Sequence, residues 1–139
     1  MNTENEISQE ELDKRIKYFK TRLKYYFFDI FHLYDFELTI DSQEKSDARA
    51  STYWYDIDEG AGIISIYYDI DWISYKKTTY DEIEKVAFHE TWEAILSELQ
   101  ELAKKRFISK KDIPNATHRV IRRMENIIYP LLKNIQDNK

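Results

Sequence analysis

The residues best suited to chemistry in this chain are its histidines and the carboxylates beside them. The sequence has no cysteine and only three histidines, so metal or acid–base chemistry has to use imidazoles and carboxylates. His89 and Glu93 stand four residues apart, and Glu90 directly follows His89. In a helix, His89 and Glu93 point the same way, about 40° apart around the axis.

The segment reads H-E-x-x-E, a variant of H-E-x-x-H, in which two helical histidines hold zinc and the glutamate is the general base. A third ligand has to come from elsewhere. His118 lies one turn before Ile121 on the last predicted helix, where it can point into the same interior. His89, Glu93 and His118 would supply the His₂Glu set of a catalytic zinc. The simpler interpretation is a surface pair of His89 and Glu93, with His118 partly buried.

Hydrophobic periodicity predicts the elements that would position these residues in the first half of the chain. Ser8 and Glu11 form a capping box that starts a helix running to about Tyr34. A short strand follows over residues 36–40, and alternation from residue 50 predicts a hairpin. The hairpin turns at residues 58–62, where both glycines of the protein lie, and its return strand continues to residue 72.

Two helices are predicted after the sheet. Thr79 and Glu82 have capping-box spacing and start a helix from about Tyr80 to Arg106, which carries the H-E-x-x-E segment. Ser109 or Asp112 caps a last helix. Its expected apolar side consists of Val120, Ile121, Met124, Ile128, Leu131, Leu132 and Ile135.

We therefore predict one α+β domain over residues 1–139. It would contain an N-terminal helix, a small and mostly antiparallel three-stranded sheet, and two C-terminal helices.

The second half of the chain resembles the small zincin-like, metallopeptidase-like proteins encoded by phages and prophages. The likeness rests on H-E-x-x-E at residues 89–93, Leu-Ala-Lys-Lys-Arg-Phe at 102–107 and His-Arg-Val-Ile-Arg-Arg-Met-Glu-Asn at 118–126. It covers about residues 80–130, and the first half only in element order. The resemblance implies a minimal zincin fold, with His89, Glu93 and His118 as zinc ligands and Glu90 as the base that activates water.

Three residues of the last helix are candidates for supporting roles. Arg122 and Arg123 could stabilise an oxyanion or pair with Glu90 or Glu93, although arginine on a helix is more often a solvated or structural group. Glu125 could orient a ligand imidazole, and pairing with an arginine is an equally good interpretation.

The resulting functional expectation is a zinc-dependent, peptidase-like protein acting on a peptide or protein. One alternative is a non-catalytic, phage-type interaction protein that modulates a host protein through the acidic, aromatic face of the sheet. A nucleic-acid contact is less favoured because the net charge is −5, even though residues 101–139 carry ten basic and four acidic residues. Its candidate residues are Lys104, Lys105, Arg106, Lys110, Lys111, Arg119, Arg122 and Arg123.

The sequence also predicts a cytoplasmic protein, in the host cytoplasm if phage-encoded. The polar, acidic start of the chain does not have the pattern of a signal peptide. No apolar run approaches the ~20 residues needed to span a bilayer, so we expect no membrane partner.

Overall fold

A computed structural model describes residues 6–43, 48–58, 61–104 and 110–137 and confirms the α+β class. The predicted order of an N-terminal helix, three strands and two long C-terminal helices is also confirmed. The elements are α1 (Gln9–Lys24), a π-helical turn (Tyr25–Ile30), β1 (Phe36–Gln43), β2 (Ala50–Asp58), β3 (Ala61–Asp69), α2 (Ile70–Ser74), α3 (Tyr80–Lys104) and α4 (Asp112–Asp137). The predicted turn at residues 59–60, the candidate cap Ser109 and the predicted helix end at Arg106 lie outside the described residues.

Both predicted capping residues act as expected. Ser8 Oγ accepts a hydrogen bond from the Glu11 backbone N–H at 3.1 Å, and Thr79 Oγ1 accepts one from Glu82 N–H at 3.2 Å. The first helix ends earlier than predicted, because it widens into the π-helical turn after Lys24. This turn still buries Phe27 completely, so the expected apolar end of the first helix lies in the core.

The sheet is mixed, which corrects the prediction of a mostly antiparallel one. Its order is β1-β3-β2, with β2 antiparallel and β1 parallel to the central β3. Ile64 and Ile66 of the central strand β3 are fully buried. Strand β1 lies on the side of β3 opposite the hairpin partner and runs parallel to β3.

The return strand ends three residues before its predicted limit. Asp69 caps the short helix α2, and its Oδ1 accepts a hydrogen bond from the Trp72 backbone N–H at 2.9 Å. Ile70 and Trp72, which the alternating pattern assigned to the strand, therefore belong to α2. The hydrogen bond that caps α2 therefore ends the strand, although the alternation of apolar and polar residues continues beyond Asp69.

The hydrophobic core lies between α1, α3 and one face of the sheet. The rings of Phe19 from α1 and Tyr68 from β3 meet edge-on at 5.7 Å between centroids. The fully buried side chains of this core include Phe19, Leu23, Phe27, Phe31, Ile64, Ile66, Ile73, Ile83, Ala87, Ala94 and Ile95.

Helix α4 packs against the core through Val120, as predicted, but most of the predicted apolar side does not take part. Ala116 is fully buried, and Val120 and Ile127 pack against the core. Arg123 is also buried, donates a hydrogen bond to the Ile95 carbonyl at 3.3 Å and lies over the Phe36 ring at 4.8 Å. Five residues of the predicted apolar side are instead exposed: Ile121, Ile128, Leu131, Leu132 and Ile135.

A polar cluster centred on Glu84 joins α1 to α3. Glu84 Oε1 accepts hydrogen bonds from Arg22 Nε and the Tyr26 hydroxyl, both at 2.8 Å, and Oε2 accepts one from the Tyr18 hydroxyl at 3.0 Å. The hydrogen bond from Tyr26 is the largest of several contributions that lower the pKa of the Glu84 carboxyl. The ionised carboxylate is therefore the form that stabilises this junction.

Replacing the carboxylate tests this junction. Since the folded-state pKa of Glu84 is lowered, its stabilisation is present above the ordinary value of about 4.3 and is lost as the pH falls through the folded value. Glu84→Gln should lower the free energy of unfolding at pH 7 by about 1–2 kcal/mol, with the difference shrinking towards pH 3. Denaturant unfolding at several pH values measures this change.

The matched control is Asp81→Asn, because Asp81 pairs with Lys85 on the exposed side of the same helix. It should change stability by less than about 0.5 kcal/mol. An equal loss for both variants would contradict a specific role for Glu84.

Candidate functional site

Helix α3 determines which of the candidate residues face inward and which face the solvent. Its inner side, which contains Ile83, Ala87, Ala94 and Ile95, is fully buried against the core. The H-E-x-x-E segment crosses the border of that side, because consecutive residues are separated by about 100° around a helix. Glu90 consequently points inward, while His89 is exposed.

The two predicted ligands on this helix meet at the surface. His89 Nε2 lies 3.4 Å from Glu93 Oε1, with the two side chains 68% and 40% exposed. Glu93 Oε2 also accepts a hydrogen bond from Gln100 at 3.3 Å. The i,i+4 spacing thus brings together one imidazole and one carboxylate, which is half of the coordination shell of a tetrahedral zinc.

Glu90, the predicted base, is buried against the sheet. Its side chain is only 5% exposed, and its Oε2 accepts a hydrogen bond from the Thr52 hydroxyl on β2 at 2.5 Å. Burial raises the pKa of the Glu90 carboxyl, with a smaller rise from Glu93, while the Thr52 hydrogen bond and His89 act in the opposite direction. A buried carboxyl that holds its proton more tightly is suited to acid–base chemistry, and it also occurs in purely structural settings.

Glu90 and His89 line one shallow cleft at the start of β2. The cleft encloses about 410 Å³, and its other walls are formed by residues 48–50, Lys85 and Val86. Glu90 is therefore within reach of a small molecule that enters from the side of His89.

His118 does not join this group. It is exposed on α4 and lines a separate depression with Asn115, Arg119, Ile121, Arg122 and Glu125, all from its own helix. The predicted inward orientation relied on Ile121, which is 44% exposed. Because α4 faces the core with Ala116, Val120 and Ile127, the side chain of His118 is carried about half a turn away.

The predicted supporting residues follow His118. Arg122 and Glu125 line the same depression and are not grouped with His89, Glu90 or Glu93 in the cleft. Of the basic residues considered for a nucleic-acid contact, Arg123 is buried in the core contact of α4. Lys105 and Arg106 lie outside the described part of the chain.

Zinc binding remains a prediction, and the structure brings together two of the residues that could bind the metal, His89 and Glu93. Within residues 6–43, 48–58, 61–104 and 110–137, no group of three or more His, Cys, Asp or Glu side chains is arranged to hold a metal ion. A catalytic zinc takes three protein ligands. The described residues therefore do not supply the His₂Glu set, although His89 and Glu93 remain a potential pair of donors.

One residue of the site, Thr52, and the burial of Arg123 in the contact of α4 with the core were missed at the sequence level. Thr52 shares the inner side of β2 with Ala50 and Trp54, and a polar residue at an inner position is the signal that could have identified it. Arg123 occupies the helical position between Val120 and Ile127, where its period matches the buried residues. Its charge concealed that pattern.

Comparisons with known proteins give no match: no family model, curated protein or solved structure is similar to this chain. In the described part of the chain, no helix combines the length and apolar character needed to cross a membrane.

The protonation of Glu90 can be tested by its effect on stability. Because its folded-state pKa is raised, its contribution to stability is complete below about pH 4.3 and is lost as the pH rises through the folded value. Glu90→Gln keeps a side-chain oxygen that can accept the hydrogen bond from the Thr52 hydroxyl. Because glutamine does not ionise, the variant does not lose stability as the pH rises. We expect the stability of the variant relative to wild type to increase from pH 4 to pH 7 in urea unfolding.

A pH-independent difference between wild type and Glu90→Gln would contradict a raised pKa of this carboxyl.

Proposed function

We propose that this chain is a non-catalytic protein-interaction module and that it binds another protein chain through α4. The observation that carries the proposal is the exposed apolar side of this helix, called here the outer stripe: Ile121, Ile128, Leu131, Leu132 and Ile135. The sequence pointed instead to the aromatic sheet face, where Tyr53 and Tyr67 pack edge-on at 5.8 Å. Because five exposed aliphatic side chains lie together on α4, this helix is a better candidate for the binding surface than the sheet face.

The outer stripe is separate from the side of α4 that packs against the core. At about 100° per residue, it lies roughly 60–160° around the helix axis from Ala116. The apolar arc of α4 is thus too wide for the chain's own core, which takes only the part with Val120 and Ile127. The remaining part faces the solvent.

The size of the stripe supports a binding role. Its five side chains are 43–60% exposed. Together they leave on the order of 500 Å² of apolar surface, at the upper end of what monomeric proteins show and typical of interaction sites. Covering half of an exposed Ile or Leu stabilises a complex by about 1 kcal/mol, so the stripe supplies a large part of a specific affinity.

Photo-cross-linking tests this function. A photoreactive side chain at Glu125, beside the stripe, should form an adduct of defined mass with a second protein chain in cells. Leu132→Glu places a charge in the stripe and should reduce the adduct at least tenfold, because an unpaired buried charge is costly. Tyr129→Glu is the matched control, since Tyr129 is 65% exposed and outside the stripe.

All these variants should fold, because substitutions of exposed residues change stability by about 0.5 kcal/mol or less. The same yield of adduct from wild type and Leu132→Glu, or the lack of any adduct, would contradict binding through the stripe.

A second candidate is a metal-dependent, peptidase-like hydrolase at the cleft, and the buried Glu90 beside His89 favours it. A bound zinc would polarise a peptide carbonyl and acidify a water. In this chain, Glu90 would accept a proton at its carboxylate, and His89 and Glu93 would be the donors to the metal. The third donor would have to come from outside the group described above.

Metal analysis of the purified protein tests this candidate. It predicts about one zinc per chain, lost in His89→Ala and retained in His118→Ala, because His118 lies on another surface. Glu90→Gln should keep the zinc and lose peptide hydrolysis. A zinc content near zero in wild type would rule this candidate out and leave the interaction function unaffected.

A cytoplasmic location is part of the proposal. It is supported by a sequence without cysteine, which gives no disulfide framework of the kind common in small secreted domains.

A further inference from the structure

We propose that the partner of the outer stripe is a second copy of this chain, with the two α4 helices side by side, parallel and in register. This inference rests on the proposed function, because it concerns the same surface and specifies what covers it. Three observations carry it: the spacing of the stripe, its charge and its size.

The spacing is that of a heptad repeat. Ile121, Ile128 and Ile135 follow one another at intervals of seven, and Met124 and Leu131 repeat at the same interval between them. These five residues, called here the seam, match the a and d positions of a coiled coil, with β-branched residues at a and residues with an unbranched Cβ at d. That distribution favours two parallel strands, and such a seam is complementary to its own copy.

The last part of the region that carries the repeat is exposed. All residues from Ile128 to Ile135 have exposed side chains, and the repeat extends about 21 Å along the helix. Pro130 lies inside the helix but about half a turn from the seam, so its ring does not occupy the seam. It lines a groove with Asp29 and Ile30, which the seam residue Leu131 also lines.

The charge of α4 permits pairing of identical helices. The segment from residue 112 to 137 contains four basic and three acidic residues, a net charge of +1. Two copies side by side therefore repel each other only weakly at physiological ionic strength.

The area is adequate for a weak to moderate dimer. A specific interface buries about 800 Å² per partner. The outer stripe supplies on the order of 500 Å² of apolar surface per chain, or about 1,000 Å² for the pair, which is the lower limit for a specific interface. We therefore expect dissociation in the micromolar range, not an obligate dimer.

Single-cysteine cross-linking tests the pairing and its direction, because the natural sequence has no cysteine to interfere. In a parallel, in-register pair, each seam residue meets its own copy within the distance that a disulfide requires. Ile121→Cys, Ile128→Cys and Ile135→Cys should each give mostly disulfide-linked dimer under a mild oxidant. Tyr129→Cys, exposed and next to the seam, should give at least tenfold less.

The other outcomes separate this inference from the proposed function. Cross-linking at only one of the three seam positions would overturn the parallel register, since an antiparallel pair brings only its central residue to its own copy. Lack of cross-linking at all three positions would overturn self-pairing. If Leu132→Glu still abolished an adduct with a different protein, the interaction function would stand with another partner.

Discussion

The structure depends on the one-sided burial of α3. This helix is the element that contacts α1, β2 and α4, and its inner side provides much of the core. Once Ile83, Ala87, Ala94 and Ile95 face inward, the orientation of every other residue on the helix follows. Glu90 is placed against β2, and His89 and Glu93 are placed at the surface. The chemistry available to the H-E-x-x-E segment is therefore a consequence of how the helix packs.

Several of the polar groups that this packing buries have partners on neighbouring elements. Thr52 donates to Glu90, and Arg123 donates to the Ile95 carbonyl. Arg15 of α1 donates to the carbonyls of Ile73 and Tyr75 at 3.1 and 2.8 Å. A buried polar group without a partner costs about 1–3 kcal/mol, so these contacts fix the relative positions of the elements as well as stabilising them. In particular, Arg123 sets which side of α4 faces the core.

The predictions from the sequence were correct where the determining interactions are local. The caps at Ser8 and Thr79 follow from hydrogen bonds within three residues, and both were predicted correctly. The i,i+4 contact of His89 and Glu93 follows from helix geometry alone. The parallel placement of β1 and the early end of β3 at Asp69 were not predicted, because they depend on competition between tertiary packing and local patterns.

Helix α4 shows the limit of the hydrophobic pattern most clearly. Its apolar arc is wide enough to contain two stripes, and periodicity does not say which of them meets the core. The buried Arg123, which contacts the Ile95 carbonyl and the Phe36 ring, lies on the side of α4 that faces the core. The same rotation exposes Ile128 and carries His118 away from His89. The separation of His118 from His89 and the exposure of the stripe thus both follow from the orientation of α4.

The pairing of two α4 helices is tested most directly by the mass of the protein in solution, measured by sedimentation equilibrium over a wide range of concentrations. If the helices pair, the mass of wild type rises from that of one chain towards that of two through the micromolar range. Ile128→Glu, which places a charge at the central a position, should keep the single-chain mass at every concentration. A wild-type protein that retains the mass of one chain up to millimolar concentrations would contradict the pairing of two α4 helices.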